Sequence, residues 1–280
     1  MVSQAIMGAP VQVLETRDGY SLIEGEDRYR GWVLSRWLVE PIDTSDYLKT
    51  TISTLIADVQ TGPSHDSPLR TKLTAGAHVV IDRQPEVGEY VPLLLPTGET
   101  AYTHRVHLTS TYQRYIVSDA LEGLLPSAET KRVILHELIE HIGESARMFV
   151  GTPYLWGGTT PFGIDCSGFT QLVYRLNGVL LLRDAYLQKD DRRFVAVDEG
   201  LPMDKAALAP GDLVFFGREG DTSGRKVTHV GLALGDGAFI HSAGGGRGNL
   251  ISPCNDPDFA PIYLGARRLS PDSDLSIDAA

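Results

Sequence analysis

The stretch GTPYLWGGTTPFGIDCSGFTQLVY, Gly151 to Tyr174, holds one of only two cysteines in 280 residues. Its first half is rich in turn formers: Thr152-Pro153, Gly157-Gly158, Pro161 and Gly163. Its second half changes period. Phe169, Leu172, Val173 and Leu176 fall at i, i+3, i+4 and i+7, one apolar face of a helix, and Gly178 suits the residue just past its end. Cys166 therefore stands at or next to the start of a helix, where free N–H groups and the positive end of the helix dipole lie. These favour thiolate over thiol, and the same N–H groups suit an oxyanion. The competing reading is a buried structural cysteine, the usual state of a free thiol. The neighbours Asp165, Ser167 and Gly168 suit a cap and an exposed turn better than a core.

A nucleophilic thiol needs a base, and THVGLALGDGAFIHS, residues 228–242, reads as a hairpin containing two histidines. With Gly235-Asp236-Gly237 as a three-residue loop, Gly231 faces His241 and His229 faces Ala243. His229 and His241 then share one face of the ribbon as diagonal neighbours. One imidazole can act as base while the other fixes its tautomer. A two- or four-residue loop separates them onto opposite faces. The alternative is a pair of ordinary strand histidines. Glycine at 231 and the small Ala243 predict open space around both rings.

The first hundred residues read as all-β. APVQVLET, GYSLIEG and RGWVLSRWLV are short, apolar and punctuated by Gly, Asp or Pro. MVSQAIMGAPVQVLE resembles LRTKLTAGAHVVIDR when Gly8 is set against Gly76, a weak internal repeat that fits two small β-barrels. The second copy is preceded by ADVQTGPSHDSP and the first by nothing, so the first barrel reads as incomplete. From Ser127, SAETKRVILHELIEHIGESARMF predicts a helix of about twenty residues. HELIEH within it is not a zinc-peptidase signature. His136 and His141 are five apart, roughly 140° around a helix, where the metal motif needs four. Solvated helix surface is the reading taken. The last residues, PDSDLSIDAA, read as a frayed tail.

Composition narrows the function class. Net charge is −11, from 25 basic and 36 acidic residues, which argues against an electrostatic grip on nucleic acid or anionic lipid. No run of eighteen apolar residues suggests a membrane span. The opening residues lack the features of a secretory signal, so a cytoplasmic location is expected, with the envelope possible if the start is incomplete. Cys166 and Cys254 are 88 positions apart with no CxxC pair, which disfavours a disulfide scaffold or zinc ribbon. Cys254, in SPCNDPD, reads as structural.

TPYLWGG, GIDCSGFTQLVY, PGDLVFF, THVGLAL and FIHSA together resemble the NlpC family of bacterial cell-wall cysteine peptidases. The resemblance covers about residues 127–270. It implies an α+β chain with a papain-like catalytic domain over residues 111–272 and a tail over 273–280. It makes Cys166 the nucleophile, His229 the base and His241 its orienting partner. Tyr154 and the Cys166 amide would serve the oxyanion. RYRGWV followed by SRWLVE resembles the end of a bacterial SH3-like domain, giving one such domain over residues 1–45 and a second over 50–110. Two of them ahead of an NlpC domain resemble the dipeptidyl peptidases that cut murein stem peptides between γ-D-glutamate and lysine or diaminopimelate. Those relatives require a free N-terminal L-alanine, and their first SH3-like domain closes one end of the cleft. By that resemblance Tyr29 belongs to the cleft wall, and Trp156, Asp165 and Ser167 surround the alanyl end, with Asp165 binding the substrate ammonium. Arg183 and Asp184, in LLLRDAYLQ, are further substrate candidates, with a surface ion pair as the plainer alternative. An acidic residue that helps hold the amine in these relatives is expected to fall in the opening part that the first barrel reads as lacking. No metal or organic cofactor is implied, and oligomeric state is not legible. A catalytically inactive wall-binding protein and a thiol acyltransferase or amidase are the rival readings.

Overall fold

The computed structural model describes residues 1–109, 139, 141–217, 227–271 and 273. The chain divides into two compact units, Gln4–Ala120 and Met1–Ser3 with Leu121–Ala280. The architecture is α+β, with few helices and several sheets.

In the N-terminal unit, β1 (Val11–Arg17), β2 (Tyr20–Gly25) and β3 (Arg30–Leu34) form a three-stranded antiparallel meander. Arg17 pairs with Tyr20 across Asp18-Gly19, both at positive φ (53° and 79°), the sign a tight type I′ hairpin needs. A second sheet uses β4 (Lys49–Thr51), β5 (Ile56–Gln60), β6 (Leu69–Thr74), β7 (His78–Ile81), β8 (Tyr90–Leu94) and β9 (Thr100–His104), in the order β4-β7-β8-β9-β5-β6. Ile52, Ala57, Val59, Leu73 and Leu93 fill its core. The two glycines that align the internal repeat share a backbone shape: Gly8 and Gly76 have φ of 87° and 81°. A Cβ on Gly8 would lie 2.6 Å from the His78 carbonyl oxygen, so the chain ahead of β1 packs directly on β7, and Ile6 joins the core of the second sheet.

The second unit is built on one sheet and one helix. After the short hairpin β10 (Thr159–Thr160) and β11 (Gly163–Ile164) come β12 (Phe194–Val197), β13 (Leu213–Phe216), β14 (His229–Gly235), β15 (Ala238–Ala243), β16 (Gly248–Pro253) and β17 (Tyr263–Leu269). These last six form an antiparallel sheet in the order β12-β17-β13-β14-β15-β16. The helix Cys166–Leu176 packs on β14 and β15. Its predicted apolar face is buried, with Phe169 and Val173 fully so and Leu172 nearly so, and the rest of the helix is buried as well except Cys166 and Arg175, which are partly exposed. Burying each such side chain stabilises the fold by about 1.5–3 kcal/mol. Most of the helix expected from Ser127 lies outside the described residues. Its end is helical at 141–147, with Ile142 and Ala146 buried. His136 lies outside the described residues, and His141 is exposed, 3.9 Å from Glu144.

The β14–β15 hairpin corrects its predicted turn. Only Asp236 and Gly237 form the turn, both at positive φ, and Gly235 pairs with Ala238. By itself a two-residue loop would reverse the parity of the two histidines. A β-bulge between Ala233 and Gly235 adds one residue on β14 and restores it, so Leu232 pairs with Ile240 as a three-residue loop would require.

Candidate active site

Asp165 begins the site. Its extended backbone (φ −91°, ψ 178°) makes it the N-cap of the cysteine helix, and its carboxylate accepts the Gly168 N–H at 2.7 Å. The same carboxylate accepts the Gly157 N–H at 2.9 Å, tying the glycine turn to the helix start. Backbone contact there is tight: a Cβ on Gly168 would stand 2.2 Å from the Gly158 carbonyl oxygen. Glycine at 168 is therefore a steric requirement.

Arg183 completes the cap. Its Nη1 donates to Asp165 Oδ1 at 3.0 Å and its Nη2 to Oδ2 at 2.7 Å, a two-pronged ion pair in which Arg183 is 1% exposed. Nη1 also donates to Ser167 Oγ at 2.9 Å and Nε to Ser3 Oγ at 3.0 Å, while Ser167 Oγ donates to Asp165 Oδ1 at 3.3 Å. The plainer reading of Arg183 as part of a surface ion pair is corrected: Arg183 is buried, and the carboxylate it grips is Asp165, inside the protein. Five donors converge on the Asp165 carboxylate, so its first role in the fold is to hold the helix start. Ser167 is likewise part of this buried cluster. Asp184 lies next in the chain, partly exposed, at the N-cap of the short helix Ala185–Asp190.

Cys166 is the first helical residue and is partly exposed, whereas Cys254 is buried in the aromatic core. The amides of Val230 and Ser167 donate toward the Cys166 sulfur, setting it beside the first residues of β14. Ser242 Oγ donates to the Ile164 carbonyl at 2.8 Å, which fixes β15 against the same turn. Tyr154 bridges Ile164, stands near Gly244, and is close enough to the cysteine that the two charges would repel. Burial and that proximity push its phenol up to about 12, so it remains a hydrogen-bond donor. Trp156 is 72% exposed and packs in no core. Tyr29 lies in the N-terminal unit, in the turn that links β2 and β3, where its N–H donates to Asp27 Oδ1.

His229 Nε2 lies 2.8 Å from His241 Nδ1, and His241 Nε2 lies 3.3 Å from Ser252 Oγ. The space beside the histidines is not open, as the small residues had suggested. A Cβ on Gly231 would meet Phe239 Cδ2 at 2.9 Å and His241 Cβ at 3.1 Å, so the glycine admits a close-packed neighbour. Phe216 and Phe259 flank His229, with ring centroids 5.7 and 5.4 Å away. Phe239 stacks on His241 at 4.7 Å, and Phe259 meets it edge-on at 4.4 Å. Sequence reasoning missed this aromatic box and Ser252. Phe216 was within reach, since PGDLVFF reads as a strand and Phe216 pairs with His229; Phe259 and Ser252 carried no local signal.

Burial in that box pushes His229 down to about 3 and His241 to about 4, with Arg247 acting in the same direction on both. Burial pushes the Cys166 thiol up to about 12, with Asp165 adding to it; the Val230 and Ser167 amides oppose this and are outweighed. The helix start does favour the anion, but burial outweighs it here, and both shifts favour the neutral thiol and neutral imidazole at rest. As pH falls, His229 stays unprotonated well below the ordinary imidazole value of 6.5, and as pH rises the thiol keeps its proton. The acid limb of kcat/KM is therefore expected below about pH 5, which a pH–rate profile on a defined peptide checks. A limb near the ordinary imidazole value contradicts a desolvated base.

The site thus defines a thiol hydrolase in which a helix-borne cysteine lies against the strand that carries one imidazole of a hydrogen-bonded pair. Residues 151–268 match the NlpC/P60 family, and residues 1–38 match the bacterial dipeptidyl-peptidase SH3 domain. The chain is 28% identical over 283 residues to the gamma-D-glutamyl-L-lysine dipeptidyl-peptidase of Bacillus cereus, covering 96% of this chain and 75% of that one. It is 34% identical over 152 residues to the murein DD-endopeptidase MepS/murein LD-carboxypeptidase of Escherichia coli, covering 54% of this chain and 69% of the relative. The crystal structure of an NlpC/P60 family protein from Bacillus cereus superposes with a TM-score of 0.74 at 27% identity, covering 96% of this chain and 82% of that one. The chain belongs to the NlpC/P60 family, with an N-terminal bacterial SH3 domain, and is a cysteine-type hydrolase.

Proposed function

We propose that the protein hydrolyses the bond between γ-D-glutamate and the diamino acid of murein stem peptides, acting on released peptides with a free N-terminal L-alanine. The observation that carries the chemistry is the contact of His229 Nε2 with His241 Nδ1 at 2.8 Å, on a strand whose next amide, that of Val230, donates toward the Cys166 sulfur. The substrate reading rests on the similarity, across 96% of this chain, to a gamma-D-glutamyl-L-lysine dipeptidyl-peptidase.

In this reading His229 Nδ1 takes the thiol proton as the sulfur attacks the γ-carbonyl carbon. The oxyanion receives the Cys166 N–H, one of the helix-start amides without an intrahelical partner, and the Tyr154 hydroxyl. The C–N bond breaks as His229 returns the proton to the departing amine. Water then attacks the thioester, giving its proton to His229, and the thiol is restored as the carboxylate leaves. The chain's own residues supply every proton transfer.

Incubation with L-Ala-γ-D-Glu-diaminopimelate and its lysine counterpart, each free and N-acetylated, tests the proposal. Release of the free diamino acid is expected, with kcat/KM at least about tenfold lower for acetylated peptides, since an unpaired polar group costs that much or more. Intact free peptide, with a folded protein whose Cys166 still reacts with iodoacetamide, overturns the substrate assignment. Equal cleavage of free and acetylated peptides overturns the requirement for a free N-terminal L-alanine.

A further inference from the structure

We propose that Ser252 is a positioning residue for the reaction, accepting a hydrogen bond from His241 Nε2–H when His229 becomes charged. The proposal rests on Cys166 and His229 as nucleophile and base. An imidazole has two nitrogens, and His229 Nε2 is engaged by His241 Nδ1 at 2.8 Å. Nδ1 of His229 is therefore the atom left to take the thiol proton. Once it does, both nitrogens of His229 carry hydrogen and both must donate. His241 Nδ1 must then be an acceptor, so the single proton of the neutral His241 sits on Nε2.

That N–H has nowhere to go but inward. His241 is fully buried, stacked by Phe239 and met edge-on by Phe259, so water cannot reach the ring. Among the described residues, the atom within hydrogen-bond reach of Nε2 is Ser252 Oγ at 3.3 Å, itself on a 4% exposed residue of β16. A hydroxyl suits this position because its oxygen accepts from Nε2–H both at rest, when neutral His229 already donates its Nε2–H to His241 Nδ1, and in the charged state. No proton passes to Ser252. The serine oxygen only orients its dipole toward the imidazole pair, and the orientation matters most at the step where positive charge appears.

The test compares kcat and KM for S252A, S252T and S252V, then repeats S252A in a H241A background. Thr and Val have nearly the same shape, and only Thr keeps the acceptor. Expected are a drop of about three- to tenfold in kcat for S252A and S252V, a KM within about twofold of wild type, and near-normal turnover for S252T. In H241A enzyme the acceptor has no ring to serve, so S252A should cost nothing further. An S252A cost that persists undiminished in the H241A background marks a packing role and overturns the proposal, as does wild-type turnover in S252A. This double-variant comparison stands even if threonine or valine fails to fit. A C166A control separates the levels: residual cleavage there defeats the nucleophile assignment itself, whereas a dead C166A with an unaffected S252A defeats only the serine's role.

Discussion

Cys166→Ala enzyme is expected to fall to the assay floor, at least about a thousandfold below wild type in kcat, with its fold intact. The magnitude follows from what the residue does. Without the sulfur no covalent intermediate forms, and what remains is the binding and polarisation that the helix-start amides and Tyr154 provide, which removal of a nucleophile leaves as a small residue of the full rate. Stability should change little, because the cysteine is partly exposed at the first helical position and the cap is made by its neighbours Asp165 and Arg183. His229→Ala should be nearly as inactive, and the double variant no worse than either, since the two side chains act as one unit. Peptide cleavage with denaturant unfolding run in parallel checks this. A C166A enzyme retaining a tenth of wild-type turnover removes the nucleophile from the scheme.

The second large effect concerns stability. Arg183→Met should destabilise the protein by about 3–5 kcal/mol, because it leaves the Asp165 carboxylate buried without its counter-ion. Methionine fills comparable volume, so the loss is electrostatic rather than a cavity. Adding Asp165→Asn should recover part of the loss: the carboxamide oxygen can still accept from Gly168 or Gly157, and no charge remains to be neutralised. The double variant is thus expected to be at least about 1 kcal/mol more stable than R183M alone, measured by urea unfolding. If R183M lies within about 1 kcal/mol of wild type, the ion pair is not what holds the helix start.

Much of the site was legible in the sequence. The apolar spacing after Cys166 marked the helix, which the structure buries on nearly every side and not on that face alone, and Asp165 stood where a cap is needed. The shared face of His229 and His241 was predicted correctly through a turn that was wrong, because the bulge before Gly235 supplies the residue that the shorter loop removes. A bulge has no side-chain signature of its own, so strand parity alone could not reveal it. Charge pairing was harder. Arg183 sits beside Asp184 in the chain but reaches Asp165, 18 positions upstream, and only the packed turn before the helix brings them together. The structural role of Asp165 was hidden for the same reason: its five donors come from Gly157, Ser167, Gly168 and Arg183, and half of that set is non-local. The aromatic box resisted reading because Phe216, Phe239 and Phe259 come from separate strands and a loop.

The burial that pushes the Cys166 thiol upward has a chemical consequence apart from turnover. Peroxide and other mild oxidants attack sulfur as the anion, and a thiol held in its neutral form climbs toward sulfenic acid only slowly. The reactive species then exists chiefly while an acyl group is being transferred. A hydrolase of this design should tolerate oxidising surroundings that would soon silence a permanently ionised cysteine.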